Sequence, residues 1–152
     1  LVYRVTTASP YCYMEGVEHA LATHKEQNAD YTTYAKLPDG VACELINIKV
    51  LLDSHKKGTS KHRSELCTSY LNEHRNDYIF NVLSVEKDWE RPDYRLTIDY
   101  PEDLILCRKI IHHFGDSAPI PYQSLINFMD QNPALLSIVE NLTDPSYVRF
   151  YH

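Results

Sequence analysis

Apolar positions recur along this chain in two rhythms. Val2 to Val5, Tyr31 to Tyr34 and Val41 to Ile48 are rich in strand formers. Met14, Val17, Leu21 and His24 recur at three- and four-residue spacing and predict a helix over about residues 14 to 26. Leu37-Pro38-Asp39-Gly40 marks a turn between two strands, since proline presets φ and glycine accepts a positive φ. Ser54 to Arg63 is basic and polar and reads as a solvated surface loop, because no glycine-rich strand-to-helix pattern surrounds it. Leu66, Cys67, Tyr70, Leu71 and His74 predict a helix over about 62 to 75, with a strand following at Tyr78 to Val85.

Further on, Arg95-Leu96-Thr97-Ile98 reads as a short buried strand ending at Asp99. Pro101 then opens a helix where its missing N–H costs nothing, and Glu102 and Asp103 suit the positive end of the helix dipole. Leu104, Cys107, Ile111 and Phe114 are expected along its buried face, widened by Leu106 and Ile110. Tyr122, Leu125, Ile126 and Met129 predict another helix, and the cap Asn132 with Pro133 opens a last one burying Leu135, Ile138, Val139 and Leu142. The tail from Thr143 to His152 has no period and reads as irregular. Strands alternate with helices without an internal repeat, which predicts an α/β fold, a sheet with flanking helices, in one domain over 1–152.

Composition narrows the function classes. Fifteen Lys and Arg against 21 Asp and Glu give a net charge of −6, which opposes sequence-independent attraction to nucleic acid or anionic lipid. No apolar run approaches the roughly 20 residues needed to span a bilayer, and Leu1-Val2-Tyr3-Arg4-Val5 lacks a signal-peptide pattern, so a soluble cytoplasmic protein is expected. Cys12, Cys43, Cys67 and Cys107 are widely separated in core-like segments and read as single buried thiols in a reducing compartment. The sequon Asn141-Leu142-Thr143 is too short a motif to indicate secretion by itself. Adjacent His112 and His113 point about 100° apart on a helix and cannot converge on a metal, and Cys67 and His74 stand too far apart for a thiol–imidazole pair. The chain opens with Leu inside a strand and reads as a piece of something longer.

The segment Arg95-Leu96-Thr97-Ile98-Asp99-Tyr100-Pro101-Glu102-Asp103-Leu104 carries the most chemical information. A carboxylate at a strand's C-terminal end faces the crevice where open α/β sheets bind ligands, and there it can hold Mg²⁺ against a nucleotide's phosphates. The same position also suits a carboxylate that caps the following helix. Spacing alone leaves both readings open.

This segment resembles the cytidylyltransferases of the spore-coat polysaccharide type, in which a strand ending Arg-Leu-Thr-Val-Asp is followed by Tyr or Thr and then Pro-Glu-Asp-Leu. Arg4-Val5-Thr6 with Pro10 is similar to their Arg-Ile-Thr-Gly-Asp-Cys-Pro, and Ala29-Asp30-Tyr31 to their Gly-Ala-Asp-Tyr. Pro38 to Glu44 resembles Pro-Asp-Gly-Leu-Asp-Val-Glu, Glu65 with Thr68-Ser69-Tyr70 resembles Arg-Glu-His-Val-Thr-Pro-Tyr, and Asn132-Pro133-Ala134-Leu135 falls at a His-Pro-Glu-Leu-like helix start. The resemblance implies the later part of a nucleotide-diphospho-sugar transferase (GT-A-like) fold with a mixed sheet. It implies a reaction in which CTP and an acidic or amino sugar give a CMP-sugar and pyrophosphate, in surface-polysaccharide or sugar-nucleotide biosynthesis, with Mg²⁺ as cofactor. Asp99 is then the expected metal ligand, and Arg95, Asp39, Gly40 and Glu44 the expected substrate-binding residues. Departures fall at Ala8, Ala42 and Leu66, where the family has Asp, Asp and His. The family's CTP-binding loop lies upstream of the segment that Leu1 begins, so this chain is expected to be inactive by itself. A degenerate, non-catalytic sugar- or nucleotide-binding or assembly domain is the alternative. A homodimer, or association with the remainder of the parent protein, is expected from the sheet edge such a start leaves open.

Overall fold

The computed structural model describes residues 1–6, 8–63, 67–115 and 119–142. Thr7, Glu65, Leu66, the sequon's Thr143 and the tail after it lie outside the described residues. Four strands, β1 (Val2–Arg4), β2 (Tyr31–Tyr34), β3 (Glu44–Ile46) and β4 (Phe80–Leu83), form one sheet in the order β1-β3-β2-β4. β3 runs antiparallel to both β1 and β2, while β4 is parallel to β2. The sheet is therefore mixed, with helices α1 (Val17–Glu26), α2 (Ile48–Lys57), α3 (Ser69–Glu73), α4 (Pro101–Phe114) and α5 (Tyr122–Gln131) packed around it.

Register explains the two cores. Tyr31 stands opposite Ile46 and Thr32 opposite Leu45, so alternate residues of β2 and β3 face opposite sides. On one side Tyr31 and Ile46 pack with Val50 of α2 and Leu71 of α3. On the other, Tyr34 and Leu45 join Ala20 of α1 and the apolar faces of α4 and α5. All four residues of β2 are buried, as in a central strand covered on both faces.

Several elements depart from the sequence expectation for identifiable reasons. The first helix begins at Val17, three residues after Met14, which is 50% exposed. The basic stretch from Ser54 is partly helical, because Asn47 caps α2 by accepting the Lys49 N–H at 3.1 Å and Lys56 and Lys57 close its last turn. Among the described residues of the helix expected over 62 to 75, the α-helical part is the short α3, and Cys67 is exposed ahead of it. Arg95 makes a single parallel bridge to Asp39 in place of a strand. The chain after Asn132 tightens into a 3-10 turn at Pro133–Ile138, with Val139 buried behind it.

The buried face of α4 is also rotated from its expected position. Leu106, Cys107 and Ile110 face the core, while Leu104, Ile105 and Ile111 face solvent. The physical reason is Asp103, which is 1% exposed and must itself point inward. With Asp103 on the inner face, the residues three, four and seven positions further on follow it inward. We expect Ile110→Ala to cost about 2–5 kcal/mol in urea unfolding and Ile111→Ala within about 0.5 kcal/mol. Equal costs would show that this rotation is wrong.

Candidate functional site

Asp39, Arg95, Asp99 and Asp103 come from a turn, an extended segment and a helix start, and they meet around one guanidinium. The backbone brings them together. Asp39 donates its N–H to the Tyr94 carbonyl at 2.8 Å and accepts the Leu96 N–H at 2.9 Å. On the other flank the Ala8 carbonyl accepts the Ile98 N–H at 2.8 Å. Gly40 is required where the turn crosses this segment: its φ is +86°, and a Cβ there would lie 2.7 Å from the backbone nitrogen of Thr97.

Arg95 is buried and makes four hydrogen bonds to the three carboxylates. Nε donates to Asp103 Oδ1 at 2.8 Å and Nη2 to Asp103 Oδ2 at 2.9 Å, a bidentate pair. Nη1 donates to Asp39 Oδ2 at 2.9 Å, and Nη2 also to Asp99 Oδ2 at 2.7 Å. Tyr100 lies beneath the guanidinium, its ring centroid 5.5 Å from Cζ. One positive and three negative groups leave the cluster a formal charge of −2 when all are ionised.

Asp103 is the residue that the sequence reading did not place in the site. Its Oδ2 also accepts the backbone N–H groups of Asp99 and Tyr100, each at 2.9 Å, so it caps the helix that carries it and grips Arg95 at once. Burial pushes its pKa up, but the bonds from Arg95 and the two N–H groups outweigh burial and hold it below the ordinary aspartate range. The available signal was its place two residues after Pro101, the third helical position of a capping box. Asp99 does not cap the helix. Its side chain is 53% exposed and only Oδ2 is engaged by Arg95.

Glu44 is not joined to this cluster. It is buried in β3, where Tyr31 donates its O–H to Oε1 at 2.5 Å and Arg4 pairs with Oε2. Ala42 and Ala8 present no side-chain donor. Among the described residues, no three His, Cys, Asp or Glu side chains converge to hold a metal ion, and no helix is long and apolar enough to cross a membrane.

A cytidylyltransferase from Leptospira borgpetersenii superposes with a TM-score of 0.78 at 20% identity, covering 88% of this chain and 57% of that one. The chain has the cytidylyltransferase fold. Its sequence is 27% identical over 134 residues to the spore coat polysaccharide biosynthesis protein SpsF of Bacillus subtilis, covering 88% of this chain and 56% of that protein. It is 26% identical over 147 residues to an uncharacterized protein of Methanocaldococcus jannaschii, covering 97% of this chain and 60% of that one. These matches support the family resemblance carried by Arg95 to Leu104. No protein-family model matches the chain. The chain spans little more than half the length of these relatives.

Two outcomes test the cluster. Asp103→Asn should cost about 3–5 kcal/mol in urea unfolding, because it leaves Arg95 buried beside a weakened partner, whereas Asp99→Asn should cost less than about 1 kcal/mol. The folded pKa of Asp103 lies below its unfolded value, so its stabilisation is present above about pH 4 and is lost as pH falls through the folded value. Wild-type stability should therefore drop in that acid window, and Asp103→Asn should lack part of the drop.

Proposed function

We propose that this chain is the later part of a cytidylyltransferase domain of surface-polysaccharide or sugar-nucleotide biosynthesis, turning over only with the rest of that domain. The reaction would join CTP and an acidic or amino sugar as a CMP-sugar, with release of pyrophosphate. The observation that carries this reading is the convergence of Asp39, Gly40, Arg95 and Asp99 at one place, held by Asp103. Residues far apart in sequence, from two of the segments that resemble the family's motifs, meet there.

Asp99 would hold Mg²⁺. One half-exposed carboxylate with a free oxygen, in a cluster of formal charge −2, suits an ion that takes one protein carboxylate and completes its shell with water and substrate phosphates. When bound, the ion would neutralise charge on the triphosphate. Arg95 acts here by orienting Asp99 and Asp39, to which it is bonded while Asp103 holds it in place. Asp39 and Gly40 would border the sugar. Glu44, buried with Tyr31 and Arg4 on its two oxygens, would serve the sugar side by holding β3 in place, so Glu44→Ala should lower stability as well as binding.

The alternative, a non-catalytic binding or assembly domain, is favoured by Ala8, whose methyl stands where the family has a carboxylate. An NMR titration with Mg²⁺ and CTP separates the readings. The expected result is shifts at Gly40, Asp99 and Tyr100 that require both components, with binding weakened about tenfold or more in Asp99→Asn while its unfolding midpoint is retained. Shifts confined to other residues, or unchanged binding in Asp99→Asn, would reject the assignment of Asp99.

A further inference from the structure

Three buried side-chain atoms among the described residues have no hydrogen-bond partner: Thr68 Oγ1, Asn72 Nδ2 and Asn81 Nδ2. Asn81 stands beside Thr32 in the parallel pair of β2 and β4, on the sheet face that carries Leu45. Thr68 and Asn72 belong to α3 and its start, on the opposite face. They lie one helical turn apart, and the Asn72 N–H donates to the Thr68 carbonyl at 3.0 Å. Leu71, fully buried between them, packs with Tyr31, Ile46 and Val50, which seats α3 over the sheet face that Ile46 shares with Glu44. Tyr31, in contact with α3 through that cluster, donates its O–H to Glu44 Oε1 at 2.5 Å.

The Thr68 side chain makes no local bond. It is 1% exposed and does not cap α3, although threonine at a helix start ordinarily does. On the outer side of the same segment Glu73 is well served, taking Lys61 at 2.6 Å and His62 at 2.5 Å. A buried donor or acceptor left unpaired lowers stability, so its retention calls for another use.

We propose that Thr68 and Asn72 form a subsite for one hydroxyl of the sugar, on the sheet face that carries Glu44, a reading that rests on the assignment of this chain to a sugar-handling cytidylyltransferase domain. The pair selects its ligand. Asn72 Nδ2 only donates, whereas the Thr68 hydroxyl both donates and accepts. A sugar hydroxyl accepts from Asn72 and donates to Thr68 at once. A phosphate or carboxylate brings a charge for which this neutral pair offers no counter-charge. Both atoms are closed to water, so the hydroxyl enters as α3 shifts from the sheet. A five-residue helix without a side-chain cap at its start is the kind of element that opens at small cost.

An NMR titration of the chain with glucuronate and, separately, with glucosamine tests this. The expected result is shifts at the backbone of Thr68 and at the side-chain amide of Asn72. Thr68→Val and Asn72→Leu should each weaken that binding about tenfold, yet raise the urea midpoint by about 0.5 M, since each removes an unpaired buried group. Thr68→Ser keeps the hydroxyl and should bind both sugars as the wild type does. A lowered midpoint in Thr68→Val would mark a structural hydroxyl and overturn the proposal, as would unchanged sugar binding in both apolar variants. Absence of shifts at Thr68 and Asn72 with both sugars would overturn it too, and a retained response of Asp99 to Mg²⁺ and CTP would then leave the cytidylyltransferase reading in place. Loss of that response with the sugar shifts retained would fail the cytidylyltransferase reading and support the subsite.

Discussion

A guanidinium withdrawn from water must find its counter-charges inside the protein, and around Arg95 that demand organises a whole end of the fold. Charge burial costs several kcal/mol per ion unless geometry and hydrogen bonding are both good. Here the fork is met by a bidentate partner in Asp103 and donates single bonds to Asp39 and Asp99. The carboxylates come from a turn, a helix start and the chain between them. Satisfying one cation thus fixes the relative position of segments 56 residues apart.

The same demand shapes the neighbouring elements. Asp103 must face inward to reach Arg95, and this sets the rotation of α4, so Leu106, Cys107 and Ile110 are buried and Ile111 is not. Gly40 lets the turn cross Thr97 at a distance no side chain permits, which carries Asp39 to its bond. A second arginine contact, half-buried Arg4 with buried Glu44, which also accepts the Tyr31 O–H, does related work between β1, β2 and β3. The two networks are separate, which is why Glu44 stands apart from the other four expected substrate and metal residues.

These constraints bear on the proposed chemistry. A site that handles a triphosphate must position a cation and hold its carboxylates rigid, since positioning and electrostatics supply most of the stabilisation in such reactions. Asp99 is held by Arg95 through one oxygen while its side chain stays half exposed, an arrangement that orients the carboxylate without consuming it.

Much of the architecture was legible in the residues. Tyr31 to Tyr34 is rich in strand formers and packs as a central strand, Pro101 opens α4 where expected, and Tyr122, Leu125, Ile126 and Met129 are all buried on α5. The Arg95 to Leu104 motif was legible too, and it identified the fold before the topology was known. These are local features, set by proline geometry, glycine φ and helical periodicity within a few residues. Tertiary structure alone decided the partners. Asp103 became the anchor of Arg95 because the helix start and the Asp39 turn are brought to one place, and Glu44 was drawn to Arg4 because strands β1 and β3 pair in that register. Periodicity specifies which residues share a face of a helix, whereas charge pairing across the fold determines which way that face turns.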